Sequence, residues 1–183
     1  MDRLQRAAVL LSLIDQLNAI GSWSGETHVQ KTTYFLQELF DVPLGFAFVL
    51  YKHGPYSFNL NDEIADLRAD NVLRLEPKPP YGPGILPGAE SDQIRQRFPK
   101  TMKTYRREIE FVAQRLGPMR VAELERVATA LYVSHEPSMS CDVEARVARI
   151  RELKPHISPE QAREAVRQSD AFVADAGSLR ATA

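Results

Sequence analysis

The chain has 183 residues, a single cysteine and a formal net charge of −1. Apolar residues make 44% and charged residues 26%, which argues against wholesale disorder and allows a core without covalent staples. The lone Cys141 excludes an internal disulfide, a cysteine-based zinc finger and a CxxC redox site, and the balanced charge argues against a surface that binds nucleic acid throughout.

Leu4, Ala7, Ala8, Leu11, Ile14 and Leu17 recur at helical spacing and predict an amphipathic helix over residues 1–18 that docks on a core. Its longest apolar run, residues 7–11, is far short of the roughly 20 needed to span a bilayer, and Asp2 and Asp15 argue against a transit peptide. No membrane partner is expected. Thr27 and Gln30 form a T-x-x-Q capping box that opens a second helix, with Val29, Tyr34, Phe35, Leu36, Leu39 and Phe40 as its apolar face. Pro43 and Gly45 stop it. Alternating Phe46, Phe48 and Leu50 predict a short, largely buried strand over 45–51, broken by His53-Gly54-Pro55. A third helix follows, capped by Ser57 or Asn59, with Leu60, Ile64 and Leu67 on one face. Asn71 can close it in a left-handed conformation, before a strand over 72–75. Residues 77–87 hold five of the 12 prolines, together with Gly82 and Gly84. They predict a rigid loop at the tip of a hairpin that returns near Ile85-Leu86.

The second half reads as all helical. A short helix over 91–97 precedes a long one over 100–116, striped by Met102, Tyr105, Ile109, Val112 and Leu116 and ended by Gly117-Pro118. Helices over 121–133 and 142–153 follow. The last opens at Ser158-Pro159-Glu160-Gln161, which combines an N-cap serine, a first-turn proline and a capping-box glutamine. It reaches Phe172 or Val173, and residues 177–183 are expected to fray. The expected class is α+β, mainly α: a winged-helix-like N-terminal half, with the proline loop as its wing, packed on a helical C-terminal half. The expected division is 1–88 and 89–176 sharing one core, with 177–183 as a tail.

Two motifs stand apart: Lys31-Thr32-Thr33-Tyr34-Phe35-Leu36-Gln37 on the second helix, and Tyr51-Lys52-His53-Gly54-Pro55-Tyr56-Ser57 at the strand end. Together they resemble the Panacea, or SocA-like, antitoxin domain and its winged-helix relatives of unknown function. That family shows K-L-x-Y-x-x-Q followed by an aromatic-Lys-aromatic-Gly-Pro turn. Lys31, Tyr34 and Gln37 match the first motif; Tyr51, Lys52, Gly54 and Pro55 match the second. Thr32 and His53 depart from it. The stretches Leu124 to Tyr132 and Lys154 to Ser158 also look like the longer relatives, so the resemblance covers nearly the whole chain. It implies a non-enzymatic role: neutralising a partner toxin, or presenting one protein to another; the single cysteine separately fits a reducing, cytoplasmic setting.

The residues themselves read mostly as structure. Gly54 permits a sharp turn and Pro55 fixes its φ. Tyr34 and Phe35 belong to a core. Lys52 either holds the turn's carbonyls or contributes to a partner surface, and Tyr51, Lys52, His53, Gly54, Pro55 and Tyr56 form the candidate partner site. No H-E-x-x-H, G-x-G-x-x-G, P-loop or G-x-S-x-G pattern occurs, so no catalytic residue, metal or cofactor is expected. His135 suits a helix end, Cys141 reads as a small residue at a helix start, and the acids Asp62, Glu63 and Asp66 read as a solvated helix face.

Charge is unevenly placed. Residues 93–120 hold eight basic residues against Glu108 and Glu110, a net of +6. The third helix of a DNA-reading winged domain enters the major groove, yet here it is acidic and phosphate would repel it. Any nucleic-acid contact, the alternative reading as a transcriptional regulator, is therefore expected through Lys100, Lys103, Arg106 and Arg107.

Overall fold

The computed structural model describes residues 1–137, 139 and 142–182. The expectation for Cys141 lies outside these residues. Among them, 65% helix against 8% strand makes the chain a mainly-α α+β protein, with the strands in two small antiparallel hairpins. Contacts divide it into two compact units: residues 1–48 with 57–119, and residues 49–56 with the chain from Arg120 onward.

In the first unit, α1 (Arg3–Ala19) starts at a capping box between Asp2 and Gln5. The helix is more than amphipathic. Ala7, Ala8, Val9, Leu10 and Leu11 are all fully buried, because α2 (Glu26–Phe40) and later elements surround it. The segment between these two helices runs beside a later strand: Ile85 donates its N–H to the Ser24 carbonyl at 3.0 Å, and Gly25 bridges Gly84. The N-cap of α2 is Gly25, so Thr27 lies inside the helix and the expected capping box does not form. Gln30 has other work. Its amide accepts the Ser57 N–H and donates to the Ser57 carbonyl, both at 2.9 Å. Two turns on, Gln37 pairs in the same way with Phe46, at 2.8 and 3.0 Å.

That second pairing corrects the expected strand over 45–51. The Phe46 backbone is held by a side chain, and only Val49–Tyr51 forms strand β1, which pairs with β2 (Gly54–Tyr56). Helix α3 (Phe58–Ala69) takes Ser57 as its N-cap, and Asn71 adopts the expected left-handed conformation, at φ 56°. Strands β3 (Leu73–Glu76) and β4 (Gly84–Pro87) form the second hairpin, in register from Leu73↔Pro87 to Glu76↔Gly84. The proline loop is its tip. Trp23 staples it by donating Nε1–H to the Gly82 carbonyl at 3.0 Å, with Tyr81 edge-on and Lys78 over the indole.

Helix α4 (Ser91–Arg97) lies where expected. The expected helix over 100–116 is instead two, α5 (Pro99–Thr104) and α6 (Arg106–Leu116), broken where Tyr105 takes φ −105° and ψ 16°. The apolar load differs on the two sides of the break. α5 buries no residue, whereas α6 buries Ile109, Val112, Ala113 and Leu116, and both pack on α1.

The second unit contains α7 (Val121–Ser134), α8 (Val143–Leu153) and α9 (Pro159–Ala181), which pack on one another, with β2 against α7. Leu124, Leu131, Val147, Ile150 and Val166 are core residues. The Ser158–Gln161 capping box forms as expected. The expected frayed tail is corrected: α9 continues to Ala181, because Gly177 is its only breaker and the flanking alanines and Leu179 favour helix. Contacts divide the chain at Met119/Arg120 and not at 88, since α4, α5 and α6 pack on α1.

Candidate partner-binding site

The β1–β2 hairpin turns through Lys52 and His53, with Tyr51 paired to Gly54. Neither turn residue has positive φ; the strained position is Gly54, at φ 86°, just after the turn. A side chain is disfavoured there, which explains glycine before Pro55. Gly54 and Pro55 are buried and Tyr56 is partly so, while Tyr51, Lys52 and His53 are exposed, Tyr51 at 55%. The Tyr51 and Tyr56 rings lie 5.8 Å apart.

Lys52 does not hold the turn's carbonyls. Lys154, just beyond α8, does: its Nζ donates to the carbonyls of Tyr51 at 2.5 Å and of Lys52 at 2.7 Å. Burial pushes the Lys154 ammonium below its ordinary pKa, and the nearby Glu125 carboxylate opposes that shift. On α7, Glu125 also faces His53, whose Nδ1 lies 3.2 Å from Oε1. The hairpin, the α7 stretch around Glu125 and the Lys154 to Ser158 stretch thus meet in one place. Composition and helical periodicity single out neither Glu125 nor Arg126. The one signal for Lys154 is its place in the last of the family-like stretches.

The first motif stays inside the first unit. Lys31 is buried at 1% exposure, Tyr34 and Phe35 are core, and Gln37 holds Phe46. These residues build the fold: Lys31, Tyr34 and Phe35 are buried and Gln37 is half-buried. Lys100, Lys103, Arg106 and Arg107 are all exposed and belong to two helices of the first unit, whereas the hairpin belongs to the second. Arg95, counted in the basic segment, is bound to Asp15 by both ends of its guanidinium, at 2.8 and 3.1 Å. The acidic face of α3 is not simply solvated. Glu63 is 7% exposed and meets Arg3 at 3.1 Å and Arg6 at 3.2 Å, while Asp70 meets Arg3 at 3.0 Å.

Comparison with protein-family models and with curated proteins finds no match to this chain. Among the described residues, no helix is long and apolar enough to cross a membrane.

Proposed function

We propose that this chain is a non-catalytic cytoplasmic interaction protein of the Panacea type, which neutralises or presents a partner protein through the Lys52–His53 turn. The carrying observation is the set of contacts that hold the turn. The Tyr51 and Lys52 carbonyls accept the two Lys154 hydrogen bonds, exposed His53 meets Glu125, and Gly54 closes the turn at positive φ. A turn ordered before binding loses little entropy on docking. The winged-helix part of the reading is supported by the Ser24–Gly25 segment, which lies along β4 between the first two helices, with the proline loop at the tip of β3–β4.

The test is affinity capture from the native host with wild-type chain and with a Lys52→Ala/His53→Ala double variant. A protein retained by the wild type and lost by the variant, with unchanged thermal melts, is the expected result. Equal retention by both removes the hairpin as the partner site.

A further inference from the structure

Beside the Lys52–His53 turn lies a cavity of about 100 Å3, walled within the second unit. Its lining brings three cations, Lys52, Arg126 and Lys154, and two imidazoles, His53 and His156, around one carboxylate, Glu125. Glu125 is already engaged by His53. Two of the three Lys154 donors are used on the turn's carbonyls, which leaves one. Arg126 is half-buried, and no ion pair joins it to a described carboxylate. Its guanidinium has the fork geometry that grips a carboxylate by two bonds.

Size limits the occupant. Pockets for whole small molecules run to roughly 300 Å3 and above. This one admits the end of a side chain. Charge limits it further. A second cavity, of about 260 Å3, shares Arg126 and Gln161 with the first and is walled by Glu123, Glu160 and Glu164. A strand carrying phosphates in series sets some of them against those glutamates. A single acid followed by basic residues meets both cavities with the right sign.

We infer that the cavity receives one aspartate or glutamate side chain of a protein partner, with Arg126 as its anchor. This rests on the reading of the hairpin as the partner site and names the chemistry that it recognises.

The test is an amide 1H–15N NMR titration of the full chain with a capped Gly-Glu-Gly-Lys-Lys peptide at millimolar concentration. Parallel titrations use the same peptide with Gln for Glu, inorganic phosphate, and a short single-stranded DNA. The Glu peptide is expected to shift the amides of His53, Gly54, Arg126 and Lys154, and the Gln peptide to leave them in place. Arg126→Ala is expected to weaken the Glu peptide at least tenfold with an unchanged melt, and Arg126→Lys to restore part of the loss. Equal shifts from both peptides, no shift at these residues, undiminished binding to Arg126→Ala, or tighter binding of phosphate or DNA at the cavity overturns the inference. Captured partner without peptide binding leaves the hairpin reading standing and removes the carboxylate pocket; peptide binding without a captured partner does the reverse.

Discussion

Gln30 and Gln37 do at the residue scale what a neighbouring strand does in a sheet: each amide supplies an acceptor and a donor to one backbone residue. Gln30 and Ser57 are both fully buried, so neither group of Ser57 can turn to water instead. Gln30→Leu keeps the volume and leaves both orphaned. It is expected to cost about 2–4 kcal/mol in urea unfolding, and a midpoint within error of the parent rules the pairing out as a support. His28 gives a pH-dependent prediction. Burial lowers its pKa, and its Nε2–H donates to the Met119 carbonyl at 3.0 Å. The unfolded imidazole titrates near ~6.5. Between the folded and unfolded values the unfolded chain binds more protons, so stability falls as pH drops through that window and levels off below it. The stability gap between wild type and His28→Gln should therefore shrink from pH 7.5 to 5.5 in paired thermal melts. A gap constant with pH shows that folding leaves the imidazole's pKa unshifted. Neither role was legible from sequence: the T-x-x-Q spacing favours a local cap for Gln30, and only the tertiary contact with Ser57 decides against it.

At the scale of elements, local punctuation was readable and tertiary choice was not. The proline loop, α4 and the start of α9 follow from prolines, glycines and caps that act within a few residues. No Gly or Pro marks the break at Tyr105, on either side of which α5 and α6 both pack on α1. The hairpin is intermediate. Gly54-Pro55 announced a turn, yet the cation that secures it comes from Lys154, about a hundred residues later in the chain. Gly54→Val must force a β-branched residue to φ 86°. A loss on the order of 1–3 kcal/mol is expected in thermal or urea unfolding. An unchanged melt shows that the hairpin relaxes freely and that its glycine is incidental.

For the whole molecule, the near-zero net charge conceals local excess, and part of that excess is cancelled where the fold pairs it. Arg95 is matched by Asp15, and the acids of α3 by Arg3 and Arg6. Lys100, Lys103, Arg106 and Arg107 are exposed, and contact with a phosphate backbone is expected through them if the chain binds one. If the chain retards DNA in a mobility shift at low salt, Lys103→Glu/Arg107→Glu should abolish the retardation and leave the melt intact, since such exposed changes typically cost within about 0.5 kcal/mol each. Retardation that survives the double variant places contact elsewhere.

The hairpin's place in the chain bears on how the protein is made. Val49–Tyr56 leaves the ribosome well before α7, α8 and Lys154, the groups that complete its unit. Folding of that unit must close a long loop, which slows it relative to a continuous helical bundle. In the interval, the ends of the nascent segment have partners upstream: Gln37 for Phe46 and Gln30 for Ser57. The two glutamines thus hold the residues that flank the strand pair, Phe46 before it and Ser57 after it, and both of these contacts lie among residues made before α7.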